Sequence, residues 1–133
     1  MSETGNNAET ILIVEDESAV LDMVTNILQS KGYEVLRAQS GDEALEIGRQ
    51  FPGKIDLVLT DIVMPGMSGG EVAQQLQRLQ PEIRTLYMSG YTKYTVVGPG
   101  TLQSVNAFIW KPFAPAELLQ KVREVLDGPA EIQ

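Results

Sequence analysis

Leu57-Val58-Leu59-Thr60-Asp61-Ile62-Val63-Met64-Pro65-Gly66-Met67-Ser68-Gly69-Gly70 is the stretch that decides the fold. Four mostly apolar, β-leaning residues run directly into an aspartate, a Met-Pro-Gly turn follows, and then an amphipathic stretch. A short apolar run bounded by turn signals reads as a buried strand. Asp61 then stands at the strand's C-terminal tip, where open α/β sheets place their ligands. A carboxylate there suits a nucleophile or a metal ligand. It also suits a residue that merely opens a turn.

Working outward on the N-terminal side, Thr10-Ile11-Leu12-Ile13-Val14 is a second apolar run, ending in Glu15-Asp16-Glu17. Ser18 is placed to cap a helix through Lys31, with Val20, Leu21, Val24, Ile27 and Leu28 at helical spacing and Gly32 as its stop. Residues 34–38 read as a shorter, edge-like strand. Residues 40–51 read as a helix with Ala44, Leu45, Ile47 and Phe51 inward, closed by Pro52-Gly53. On the C-terminal side, residues 68–80 read as a helix with Val72, Leu76 and Leu79 inward, and Pro81 stops it. Residues 84–88 form a fourth strand leading into Ser89-Gly90, and residues 107–110 a fifth leading into Lys111-Pro112-Phe113. A final helix spans residues 114–126, with Pro115 in its first turn.

Strands alternate with helices, and the central strands are apolar on both faces. That pattern implies parallel strands, right-handed crossovers and helices on both sides of the sheet: a three-layer, doubly wound α/β fold. A length of 133 residues suits one domain, assigned to residues 10–127, with a disordered polar tail at 1–9 and a short tail at 128–133. The net charge of −8 argues against a nucleic-acid or anionic membrane surface, because phosphates need basic patches. With no cysteine and no histidine, disulfides, thiolate or imidazole metal sites and histidine-based triads are excluded. No apolar run reaches the length of a membrane span and no signal peptide opens the chain, so a cytoplasmic location is expected.

Parallel strand tips share one sheet edge, which brings together Glu15 and Asp16 after the first strand, Asp61 after the third, Ser89 after the fourth and Lys111 after the fifth. Adjacent acids before a helix often only favour its dipole, and Ser-Gly or Lys-Pro often only make turns. All four tips together point further. Three carboxylates in one place repel unless protons or a cation intervene. Oxygen ligands without His or Cys favour a hard ion, and an open site with few protein ligands suits Mg²⁺. A lysine and a hydroxyl beside them complete an arrangement for stabilising a phosphoryl group while one carboxylate attacks phosphorus.

At these residues the sequence resembles the receiver domain of two-component response regulators, over about residues 10–126. The matches are Ile11-Leu12-Ile13-Val14-Glu15-Asp16-Glu17, residues 61–69 of the opening stretch, Met88-Ser89-Gly90 and Lys111-Pro112-Phe113. The resemblance implies a flavodoxin-like receiver fold with strand order 2-1-3-4-5. It implies Asp61 as the acceptor of phosphate from a kinase phosphohistidine, and Mg²⁺ held by Asp16, Asp61 and the Val63 backbone carbonyl, with Glu15 assisting. Lys111 would contact the phosphoryl group, Ser89 would move to hydrogen-bond it, and Phe108 stands at the aromatic switch position. The implied partner is a histidine kinase or histidine phosphotransfer domain. The wording around Glu15 and Ser89 looks most like receivers fused to sensor kinases.

Rival readings fall short on particular residues. A haloacid-dehalogenase-type phosphatase needs a second acid two residues after the nucleophile, and Val63 stands there. A flavin module needs a phosphate-cradling loop after the first strand, and Glu15-Asp16-Glu17 is acidic. A degenerate receiver would have lost Asp61, an acid or Lys111. Three finer expectations follow. The Lys111–Pro112 peptide is expected to be cis: X-Pro bonds tolerate cis, a tight turn aiming Lys111 back over the sheet edge would use that tolerance, and the resemblance implies the same. The phosphorylated form is long-lived, because Val63 and Tyr91 flank the family's hydrolytic water. The crossover helix between the fourth and fifth strands is short, displaced or mobile, because Thr95-Val96-Val97 restricts rotamers in a helix and Gly98-Pro99-Gly100 opposes one by several kcal/mol.

Overall fold

The computed structural model describes residues 8–89 and 108–128. Among them, five strands run Thr10–Val14 (β1), Glu34–Ala38 (β2), Leu57–Asp61 (β3), Arg84–Ser89 (β4) and Phe108–Trp110 (β5). Four helices run Ser18–Gln29 (α1), Gly41–Gln50 (α2), Gly69–Leu79 (α3) and Pro115–Asp127 (α4). The strands form one sheet in the order β2-β1-β3-β4-β5, every neighbouring pair parallel. This is the doubly wound order that the family resemblance implies.

The period-2 alternation of the strands sorts their side chains onto two faces. Ile11, Ile13, Leu57, Leu59, Leu86, Met88 and Ile109 meet Leu21, Val24 and Leu28 of α1 and Leu118 and Val122 of α4. Leu12, Val14 and Val58 meet Ala44 and Leu45 of α2 and Val72 and Leu76 of α3. Each fully buried Leu or Ile contributes about 1.5–3 kcal/mol, so both faces are held strongly. Strand tips are thereby fixed as a common edge.

Local chemistry sets the helix ends. Ser40 caps α2 by accepting from the Glu43 N–H. Ser68 and Glu71 form a reciprocal capping box on α3. Gly32 takes φ +91° beyond α1, a left-handed conformation that favours glycine. Ser18, expected as a cap, is instead the first helical residue. Leu21 N–H donates to the Glu17 carbonyl at 3.0 Å, so Glu17 occupies the cap position and the helix closes at Gln29.

Two packing expectations are corrected. Leu79 is 41% exposed, because it lies in the last turn of α3 beside Gly48, which has no side chain to cover it. Ile47 and Phe51 reach only the margin of their core, the inner positions of α2 being Gly41, Ala44, Leu45 and Gly48. Glu9, assigned to the N-terminal tail, is held. Its carboxylate accepts from Arg123 at 2.9 Å and its carbonyl from Glu34 N–H at 3.0 Å. The segment between β4 and β5, on which the crossover-helix expectation falls, lies outside the described residues.

Candidate functional site

β1 ends at Val14, and the next residue, Glu15, is fully buried; its N–H donates to the Ala38 carbonyl at 3.0 Å. One Glu15 carboxylate oxygen accepts from Glu17 N–H at 3.1 Å and the other from Lys111 Nζ at 2.9 Å. Asp16 is exposed. Asp61 closes β3, and its Oδ2 accepts from the same Lys111 Nζ at 3.1 Å. One oxygen from each of Glu15, Asp16 and Asp61 lies within 4.8 Å of the others. The parallel sheet has assembled the three acids from the tips of β1 and β3 and Lys111 from the tip of β5.

The electrostatics follow from burial and pairing. Burial pushes the Glu15 carboxyl above its ordinary value; the Lys111 hydrogen bond, the Glu17 N–H and the Lys111 charge pull against this without reversing it. Burial alone would lower Lys111, but its bond to Glu15 and the charges of Asp61 and Glu15 outweigh that. Lys111 is held above the ordinary lysine value and stays charged. One ammonium shared by two carboxylates leaves the cluster of three acids short of positive charge.

Lys111 is aimed here by the turn after β5. The Lys111–Pro112 peptide is cis, as expected from the sequence. Lys111 N–H donates to the Ser89 carbonyl at 2.7 Å, which ties the lysine to the tip of β4, where Ser89 is buried. Val63 lies in the loop after β3 with 48% of its surface exposed. Phe108 opens β5, packing partly against Ile62, Ala73 and Tyr87, and its ring meets Trp110 edge-on at 4.0 Å. Glu15, Asp16, Asp61 and Lys111 therefore converge; Ser89 joins through its backbone, and Phe108 sits apart on the edge strand. Tyr91 lies outside the described residues. Sequence reading passed over Thr60 and Gly69, which hold the Asp61 peptide; neither a threonine in an apolar strand nor a glycine after a turn carries a signal of its own.

A family model described as the response regulator receiver domain matches residues 11–123. The chain belongs to that family, whose members signal in two-component systems. It is 37% identical over 122 residues to the sensor kinase CckA of Brucella abortus, covering 92% of this chain and 13% of CckA. It is 32% identical over 128 residues to the DNA-binding response regulator MtrA of Mycolicibacterium paratuberculosis, covering 93% of this chain and 56% of MtrA. Among solved structures it resembles the response regulator TrrA of Thermotoga maritima in complex with Mg²⁺-BeF, with TM-score 0.73 and 32% identity, covering 88% of this chain and 98% of that one. The chain thus spans a small part of CckA and about half of MtrA.

Proposed function

We propose that this domain accepts a phosphoryl group on Asp61 from the phosphohistidine of a histidine kinase or a histidine phosphotransfer domain. The observation that carries the reading is Lys111 Nζ standing between Glu15 Oε1 and Asp61 Oδ2, with Asp16 in the same cluster. A carboxylate oxygen of Asp61 forms the new P–O bond as the P–N bond to the imidazole breaks, and the imidazole nitrogen leaves with the electron pair. Lys111 holds phosphoryl oxygens through its charge. The donor's own chemistry drives the transfer, and this chain supplies position and charge.

The donor set fits Mg²⁺: three carboxylates, no imidazole or thiolate, and too little positive charge among them. Asp16, Asp61 and the Val63 carbonyl would hold the ion, with Glu15 assisting. When bound, it supplies charge that stabilises the phosphoryl oxygens. Ser89 and Phe108 are read as the residues that convert phosphorylation into a change of surface. Such a domain acts inside the cytoplasm, alone or fused to a sensor kinase as the CckA relative suggests, and has no nucleic-acid or membrane contact of its own. Among the described residues, no helix is long and apolar enough to cross a membrane.

The test is uptake of phosphate from a small phosphoramidate in MgCl₂, read by intact mass. The wild-type chain is expected to gain one phosphoryl group that hydroxylamine removes. Asp61→Asn is expected to gain none, and chelation with EDTA to stop uptake. Unchanged labelling of Asp61→Asn would overturn the assignment.

A further inference from the structure

Both polar groups of the peptide that follows the Asp61 side chain are hydrogen-bonded. Thr60 Oγ1 donates to the Asp61 carbonyl at 3.0 Å, in a fully buried setting. Ile62 N–H donates to the Met88 carbonyl at 3.1 Å, and in the next peptide the Ile62 carbonyl accepts from Gly69 N–H at 2.9 Å. The Gly69 backbone itself packs against the Asp61 carbonyl. A Cβ there would stand 2.1 Å from the Asp61 carbonyl oxygen, closer than real contacts allow, and 3.0 Å from Ile62 Cα.

Alternation along β3 gives this arrangement its sense. Leu57, Leu59 and Asp61 share one parity, Val58 and Thr60 the other, and Val58 belongs to the core covered by α2 and α3. Thr60 therefore lies on the opposite side of the sheet from Leu57 and Leu59. It acts on the aspartate only through the backbone. A buried threonine hydroxyl must find an acceptor. The acceptor it takes is the carbonyl of the next residue, at the point where the strand ends and the site begins.

We infer that Thr60 and Gly69 are positioning residues for Asp61. By locking the 61–62 peptide from behind, they set the direction of the Asp61 carboxylate and of the chain leading to Val63. The inference rests on the reading of Asp61 as the phosphoacceptor. Rate is sensitive to such placement, since misplacement by about 1 Å costs on the order of a hundredfold.

The experiment compares phosphate uptake from a phosphoramidate at saturating MgCl₂, and Mg²⁺ affinity by Trp110 fluorescence, in four proteins. They are the wild type, Thr60→Val, Thr60→Ser and Val122→Ala, a core substitution in α4 chosen as the control for lost stability. Thr60→Val keeps the shape and removes the hydroxyl; it is expected to slow uptake by about tenfold, as a partial displacement would. Thr60→Ser keeps the hydroxyl and is expected within about twofold of wild type on the same scale. Val122→Ala is expected to lower the melting temperature and leave the rate of the folded protein unchanged. A fifth protein, Gly69→Ala, is expected to lose uptake under conditions where circular dichroism shows it folded, and uptake there at the wild-type rate would overturn the role of Gly69. Equal rates for Thr60→Val and wild type, or equal slowing of Thr60→Val and Thr60→Ser, would overturn the positioning role. A wild type that takes up no phosphate would overturn the reading of Asp61 itself.

Discussion

Lys111 Nζ stands 3.1 Å from Asp61 Oδ2, joining residues fifty positions apart in the chain. The same ammonium lies 2.9 Å from Glu15 Oε1, a carboxylate with no exposed surface. Removing it leaves a buried acid facing a second acid. Lys111→Ala is expected to destabilise the metal-free protein by about 1–3 kcal/mol, the range for leaving a buried hydrogen-bonding group unpaired. Added Mg²⁺ is expected to recover part of that loss and to bind more tightly than to wild type, since a competing cation is gone. Thermal melts with and without MgCl₂ check both.

Asp16 behaves in the opposite way. It is exposed and belongs to a cluster whose oxygens lie within 4.8 Å of one another. Asp16→Asn relieves repulsion without uncovering a buried group, so the metal-free melting temperature is expected to hold or rise. Mg²⁺ affinity is expected to fall by about tenfold or more, equivalent to about 1.4 kcal/mol. The stabilisation conferred by saturating metal should shrink in step.

Val63 offers no hydrogen bond from its side chain to a water beside Asp61, and it is open to solvent. Val63→Asn places an amide there. Spontaneous loss of phosphate from the purified phosphoprotein is expected to speed up at least severalfold. A time course of intact mass after removal of the phosphodonor measures it.

Away from the site, Arg123 joins the two ends of the domain. It donates to both Asp127 carboxylate oxygens at 2.8 and 2.9 Å, to Glu9 at 2.9 Å and to Tyr33 Oη at 3.0 Å. The Arg123 hydrogen bond holds the Asp127 carboxyl below its ordinary value. A carboxyl with a lower folded than unfolded pKa stabilises above its unfolded pKa, and that stability is lost as pH falls through the folded value. Arg123→Gln is expected to lower the melting temperature at pH 7 and to flatten its decline below about pH 4, near the ordinary aspartate value. Melts from pH 7 down to pH 2.5 give the comparison.

The α2–α3 contact separates two glycines by what a methyl would strike. A Cβ on Gly41 would lie 2.8 Å from Val72 Cγ2 and 2.9 Å from Met67 Cβ, atoms close to the backbone. A Cβ on Gly48 would meet chiefly Leu76 Cδ2 at 2.7 Å, the far end of a flexible chain. Alanine gains up to about 1 kcal/mol of helix propensity, against about 1–3 kcal/mol for overpacking. Gly41→Ala is therefore expected to destabilise and Gly48→Ala to be near neutral by urea denaturation.

The strand runs at residues 10–14 and 57–61, the acids at their tips and the cis Lys111–Pro112 turn were legible in the sequence. Apolar period and turn chemistry are local properties, and a parallel sheet needs little else to be recognised. Strand order came from resemblance to a family, because periodicity says that a strand is buried and not which strand lies beside it. Helix-end errors at Ser18 and the exposure of Leu79 have the same origin. A cap depends on which carbonyl receives the first helical bond, and burial at a helix end depends on what the neighbouring helix presents.

Sequence alone therefore determined the layers, the sheet edge that gathers the functional groups and the hard-ion character of their ligands. The tertiary structure decided the pairings. Lys111 contacts Glu15 from 96 residues away, Arg123 reaches Glu9 from 114, and Gly69 closes on the Asp61 backbone. Each depends on elements being brought within contact distance by the packing of two cores. No local pattern in the chain encodes such a distance.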